Sequence, residues 1–386
     1  MPYNFDQLID RRRTESSKWN KYGPDVLPLW VADMDFVSPA PVIQALRERV
    51  EHGVFGYGME MAAFNELLVD RLWKLYGWRV EPEALVMLPG VIPGFNVACR
   101  TVTTPGDGVL IQTPIYPPIL RAPTNHQLSC DTLLLTRHAD GQYSIDFDAF
   151  EAAITPRTRC FILCNPHNPV GRVFQRDELL RMAEICLRHN LVICSDEIHC
   201  DLLFQGYTHL PIASLAPEIA AHTMTLIAPS KTYNLAGLKC SLAIIQNPEL
   251  REKFLAARGD MVQAMVNIFG YVAAWAAYRN GQEWLEEVLR YLGANRDYLR
   301  QYVDAHLPGV TMGTPEGTYL AWLDCREACL PNNDPYTFFL EHAKVALNDG
   351  LTFGPGGAGF VRLNFGCPRA LLTQALDRMR LALTGV

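Results

Sequence analysis

Lys231 and Asp196 each stand just beyond an apolar run with the composition of a buried strand. Lys231 follows Met224-Thr225-Leu226-Ile227-Ala228 and lies in Pro229-Ser230-Lys231-Thr232-Tyr233-Asn234. Asp196 follows Leu191-Val192-Ile193-Cys194. Taken singly, a solvated lysine and a helix-capping aspartate are the ordinary readings. An amine and a carboxylate at the carboxyl ends of two buried strands suit pyridoxal phosphate (PLP) instead. The lysine forms a Schiff base with the aldehyde, and the aspartate pairs with the pyridinium nitrogen. That pairing keeps the acid ionised and the ring able to accept electrons from a substrate α-carbon.

Other residues extend the same reading. In Asn165-Pro166-His167-Asn168-Pro169-Val170-Gly171, two Asn-Pro pairs fix the backbone direction at a strand end. Asn168 is the candidate amide donor to the cofactor's phenolate oxygen. Gly90-Val91-Ile92-Pro93-Gly94 lies between a strand and a helix, so the backbone N–H groups of Val91 and Ile92 suit a phosphate. Ser230 and Lys239 add a hydroxyl and a cation to that corner. Tyr116, after another strand, offers an aromatic face for the ring. Arg362 sits inside the apolar run Val361-Arg362-Leu363-Asn364-Phe365, and a buried guanidinium needs an anion such as a substrate carboxylate.

These residues require a sheet to gather them. Strand-like runs occur at 84–88, 108–112, 132–135, 160–164, 191–194, 223–228 and 241–245, with helical periodicity at 62–76 and 176–188. The alternation predicts an α/β fold, with a mainly parallel seven-stranded sheet sandwiched by helices. A long helical stretch spans 248–306, with a buried helix expected at 261–278. Strands at 319–324 and 360–365 and a closing helix at 369–383 predict a smaller α+β domain. The expected division is an N-terminal segment (1–45) joining the small domain, a large domain (46–285) and the C-terminal small domain (286–386).

Composition bounds the function. The 386 residues are 49% hydrophobic and 19% charged, so a sizeable core is available. A net charge of −7 and the lack of long basic runs argue against nucleic-acid and membrane-surface partners. The opening residues lack a signal-peptide pattern, and no stretch reads as a membrane span. Eleven cysteines without a Cys-x-x-Cys pair fit free thiols in the reducing cytoplasm, and no Cys/His quartet has zinc-ligand spacing.

In order, these motifs resemble fold-type I PLP enzymes of aminotransferase class I/II, over essentially the whole chain. Pro28-Leu29-Trp30-Val31-Ala32-Asp33-Met34-Asp35-Phe36, Ser195-Asp196-Glu197-Ile198-His199-Cys200-Asp201-Leu202 and Ala228-Pro229-Ser230-Lys231-Thr232-Tyr233-Asn234 resemble the MalY/PatB-type cystathionine β-lyases. The resemblance implies α,β-elimination from an L-cysteine S-conjugate. Amino transfer is the alternative; racemisation and a PLP-binding regulatory role are more distant. It also implies a homodimer in which Tyr57 reaches the partner's cofactor phosphate, and a cofactor contact for His199. Two positions depart from many aminotransferases: His199 stands where they carry tyrosine, and Lys239 where they carry arginine. Lysine cannot form the bidentate phosphate contact, so a differently shared grip is expected.

Overall fold

The computed structural model describes residues 3–259 and 266–385. Seven strands form the central sheet: β1 (Leu85–Leu88), β2 (Gly108–Thr113), β3 (Ser129–Leu134), β4 (Thr158–Cys164), β5 (Val192–Asp196), β6 (Thr223–Ile227) and β7 (Ser241–Ile244). Their order is β1-β7-β6-β5-β4-β2-β3. β7 runs antiparallel to both neighbours, while β2 through β6 are mutually parallel. β1 therefore points the same way as β6, and six strands end on one edge.

Both faces of the sheet are covered, which explains the nearly unbroken apolar runs of its strands. On one face lies the helix Val91–Val102, with Val91, Phe95, Ala98 and Cys99 buried at helical spacing. Gly94 permits the close approach: a Cβ there would meet Leu226 and Leu88 side-chain atoms at 3.0–3.1 Å. On the other face lies the helix Arg176–Arg188, begun by a Gln175/Glu178 capping box and buried through Leu179, Met182, Ala183 and Cys186.

A second, antiparallel sheet has the order β8-β9-β11-β10, from β8 (Thr311–Met312), β9 (Leu320–Asp324), β10 (Asn348–Asp349) and β11 (Phe360–Asn364). The helices Gln282–His306 and Arg369–Thr384 pack beside it. Leu27–Pro28 pairs in parallel with Val345–Ala346, tying the N-terminal segment to this part of the molecule.

Several expectations need correction. The strand before Lys231 ends at Ile227, and the lysine sits on a single helical turn, Pro229–Thr232. Pro229 lacks the N–H that a ladder requires and pre-sets a helical φ. Asp196 is the last residue of β5 rather than a residue beyond it, because it pairs with Cys164 and Leu226. Among the described residues, the stretch 248–306 contains three helices, Pro248–Arg258, Ile268–Asn280 and Gln282–His306. Gly281 separates the last two, where a Cβ would lie 2.5 Å from the Ala277 carbonyl oxygen and 2.6 Å from the Tyr233 ring. The helix expected at 261–278 begins at Ile268, and residues 261–265 lie outside the described residues. No helix among the described residues is long and apolar enough to cross a membrane.

Candidate active site

The shared strand edge opens into a cavity of about 520 Å³, the usual ligand location in such sheets. Its wall contains Val91 and Ile92 after β1, Tyr116 after β2, Asn168 after β4, and Asp196 and His199 at the end of β5. Ser230 and Lys231 follow β6, and Lys239 precedes the reversed β7, which starts at this edge rather than ending there. Arg362 stands behind the wall and touches it through Asn168. Tyr57 does not reach the cavity of its own chain; it is 98% exposed.

Lys231 is half-buried. Its Nζ donates to the Ala32 carbonyl at 2.6 Å. Burial lowers its pKa, the Arg362 charge lowers it further, and Asp33 and Asp196 act the other way, leaving it at about 8. Asp196 moves oppositely: burial raises its carboxyl to about 7, against the Ile198 N–H bond at 3.1 Å and the nearby lysine. Burial, then the charges of Lys231 and Arg362, hold His199 well below the ordinary histidine range, so its ring is neutral. Its Nδ1 has no hydrogen-bond partner. Burial also raises the Tyr116 phenol.

Arg362 projects from β11 and is 3% exposed. Its hydrogen-bond partners are neutral: Asn168 Oδ1 at 2.9 Å, the Trp30 carbonyl at 2.9 Å and Asn348 Oδ1 at 2.5 Å. Its Nε is buried without a partner. Desolvation lowers its pKa to about 10, still charged at neutral pH. A buried cation held only by neutral dipoles is matched to an incoming anion. Asn168 accepts from Arg362 through Oδ1, which turns its amide nitrogen toward other partners.

At the opposite corner, the helix Val91–Val102 presents free N–H groups only at Val91 and Ile92. Pro93 has none, and the Gly94 N–H donates to the Gly90 carbonyl. Lys239 has a left-handed backbone, φ +51°, which turns the chain at the cavity rim. The lysine-bearing turn is braced from below: Thr232 Oγ1 donates to Asp201 Oδ2 at 3.0 Å, and Asp201 pairs with Arg71 at 2.6 Å.

This arrangement matches known proteins. A family model described as aminotransferase class I and II covers residues 24–379. The chain belongs to the aminotransferase class I and II family. It is 39% identical over 388 residues to cystathionine β-lyase PatB of Bacillus subtilis, covering 99% of this chain and 100% of PatB. The crystal structure of OvoB is 45% identical with a TM-score of 0.95, covering 100% of both chains. Cystalysin from Treponema denticola, whose crystal structure contains pyridoxal 5′-phosphate, is 32% identical with a TM-score of 0.96, again over 100% of both chains. Within the family, this is a fold-type I enzyme of the MalY/PatB type.

The residues fit the cofactor of this aminotransferase-family fold. Asp196 is a buried carboxylate whose side chain accepts one N–H, so a ring cation supplies what it lacks. Lys231 is a half-buried amine whose direct partner is a neutral carbonyl. The free N–H groups at Val91 and Ile92, with Ser230 and Lys239, suit a phosphate.

Sequence reasoning expected the N-terminal segment to help build the substrate pocket but missed what its backbone does. Residues 30–36 run along the site as a strap whose backbone carbonyls accept from Lys231, Tyr319, Arg362, Asn364 and Asn234. Asn234 alone makes three bonds, from Met34 N–H and to the Met34 and Phe36 carbonyls. Arg11 and Lys18 pair with Asp33 and Asp35 on the strap's far side. The Trp-Val-Ala-Asp-Met-Asp-Phe stretch had stood out only as a mark of resemblance. Backbone acceptors carry no side-chain signature.

Proposed function

We propose that this protein is a PLP-dependent carbon–sulfur β-lyase. It removes the thiol from cystathionine or related L-cysteine S-conjugates, giving a thiol, pyruvate and ammonia. The observation that carries the reading is a single cavity that brings together the Lys231 amine at about 8 and the buried Asp196 acid at about 7, with the buried Arg362, whose partners are neutral, behind its wall at Asn168. Bound there, pyridoxal phosphate supplies an aldehyde for the substrate amine and a ring that takes up the electron pair left at the α-carbon.

The protein's own residues do the rest. Arg362 and Asn168 grip the substrate carboxylate and so set the direction of the Cα–H bond. Lys231, with its amine pKa brought near neutrality, takes the α-proton at Nζ and returns it to the departing thiolate sulfur. Asp196 would hold the ring nitrogen protonated, and Tyr116 would offer its aromatic face to the ring. The helix start at Val91 and Ile92, with Ser230 and Lys239, would hold the phosphate, while His199 stays neutral on the cavity wall. The curated relative PatB carries the name cystathionine β-lyase, which favours elimination over amino transfer.

We also propose a cytoplasmic homodimer with shared sites. Val54, Phe55, Tyr57, Met59 and Met61 are all exposed, as is Ile92 at the cavity wall. An apolar surface of this kind calls for a protein partner, and Tyr57 would then reach the other subunit's phosphate corner. The domain division at residues 45 and 285 is part of the same proposal.

The test is incubation of the loaded protein with cystathionine and no keto acid, scoring pyruvate and free thiol. Pyruvate at each turnover supports the lyase. Glutamate formed from added 2-oxoglutarate, with no pyruvate, refutes it in favour of an aminotransferase.

A further inference from the structure

The contact between Lys231 and the strap is built from more than the lysine. The Ala32 carbonyl accepts from Lys231 Nζ at 2.6 Å and from the Tyr319 hydroxyl at 2.9 Å. A carbonyl oxygen has two lone pairs, so both bonds are satisfied together. The carbonyls on either side, Val31 and Asp33, both accept from Asn364 Nδ2, at 2.5 and 2.7 Å. Asn364 Oδ1 is held in turn by the Gly366 N–H at 2.7 Å, so the amide cannot turn over. Tyr319 and Asn364 are each 1% exposed. They stand side by side, since Leu320 registers with Asn364 and the Phe365 N–H donates to the Tyr319 carbonyl.

We propose that Tyr319 and Asn364 are positioning residues that fix the Ala32 carbonyl as the holding site for the free Lys231 amine. This rests on the reading of Lys231 as the proton-carrying amine. A neutral amine has two N–H bonds and one lone pair. Committing one N–H to an immobile carbonyl stops free rotation about the Cε–Nζ bond and narrows the directions open to the lone pair. Without that bond, a compact amine on a flexible four-carbon stem samples several directions, and alignment with the α-carbon proton is lost. The second sheet thus aims a lysine carried by the first.

Tyr319→Phe and Asn364→Ala test this in the full chain. The first readout uses cofactor-free protein: the rate of pyridoxal phosphate uptake at Lys231, followed by visible absorbance, because the same free amine is the nucleophile. The second is the isotope effect on pyruvate formation from cystathionine deuterated at the α-carbon. Both variants should slow uptake by about five-fold, the rate equivalent of one hydrogen bond. Both should raise the isotope effect while KM stays within about two-fold. Uptake and isotope effect matching those of the unaltered protein in Tyr319→Phe overturn the proposal. An Asn364→Ala chain that fails to fold leaves that decision to Tyr319→Phe, which removes a single oxygen. Tyr302→Phe, whose hydroxyl bonds Asp377 elsewhere, is the control and should change neither readout. Lys231→Ala separates the two ideas. Retained absorbance and turnover would overturn the role of Lys231 and this proposal with it. Their loss, beside an unaffected Tyr319→Phe, overturns the positioning role alone.

Discussion

Replacing Lys231 with methionine should stabilise the cofactor-free protein. Burial, reinforced by Arg362, brings the amine from 10.5 to about 8. A shift of about 2.5 units at about 1.36 kcal/mol each amounts to roughly 3 kcal/mol. The unfolded chain keeps this proton up to its ordinary pKa of 10.5, whereas the fold releases it near 8. Between those values the unfolded state binds more protons, so stability rises with pH across that window. Below it both states are charged and the whole penalty stands. Methionine preserves the apolar stem and removes the charge, but gives up the bond to Ala32, worth about 1 kcal/mol. The net gain at neutral pH is about 2 kcal/mol. For 386 residues, an unfolding entropy of roughly 2.1 cal/mol/K per residue converts this to about 2–3 °C in Tm. Scanning calorimetry of both cofactor-free proteins from about pH 7 to about pH 10 should show that advantage shrinking steadily above about pH 8. Equal or lower Tm for the variant at neutral pH, or an advantage indifferent to pH, would refute the reasoning.

Four further outcomes are expected. Asp196 has its folded pKa raised from 3.8 to about 7, so its burial destabilises the cofactor-free protein increasingly as pH rises through that window. Asp196→Asn should therefore raise Tm at about pH 8 and not at about pH 4, while lowering cofactor affinity by about ten-fold or more, read by calorimetry and absorbance titration. Arg362→Lys should raise KM roughly 30- to 100-fold through loss of the two-pronged carboxylate grip, with the visible absorbance of the bound cofactor intact in the same sample. Asn234→Ala removes three bonds to the strap and should destabilise by about 2–3 kcal/mol, with limited proteolysis cutting first within residues 30–36. Tyr57→Ala should leave the Tm of the cofactor-free protein unchanged yet weaken cofactor binding about ten-fold by equilibrium dialysis, if its hydroxyl serves the neighbouring subunit.

The central sheet was legible because its strands other than β3 are apolar runs of ordinary length, buried on both faces. The helix 62–76 was read to the residue for a related reason: Phe64, Leu68 and Leu72 repeat at helical spacing, and Gly77 ends it in a left-handed cap. β3 begins three residues earlier than expected, at Ser129, because an edge strand with alternating exposure admits polar residues. β8 and β10 have two residues each, too few to show a period. Lys231 was placed correctly in space and wrongly in local structure, since Pro229 redirects the chain within two residues. Asn364 carried a readable signal that went unused: it lies two residues from Arg362 on the same face of β11. Tyr319 carried none, because its partner is a backbone oxygen 287 positions away.

That distance bears on how the enzyme comes into being. Arg362 meets the Trp30 carbonyl across 332 positions of chain, and Asn364 meets Val31 across 333. A chain growing on the ribosome exposes the strap more than three hundred residues before it completes β11. Until then Lys231 and Asp196 can occupy their strand ends, but the wall at Ala32 has no bracket and the guanidinium does not exist. Closing so long a loop adds little entropy beyond that of a shorter one, so the delay is one of order in time more than of stability. A reactive amine is thus denied its aim until β11 has been made, and a chain cut short before β11 carries the lysine without the means to use it.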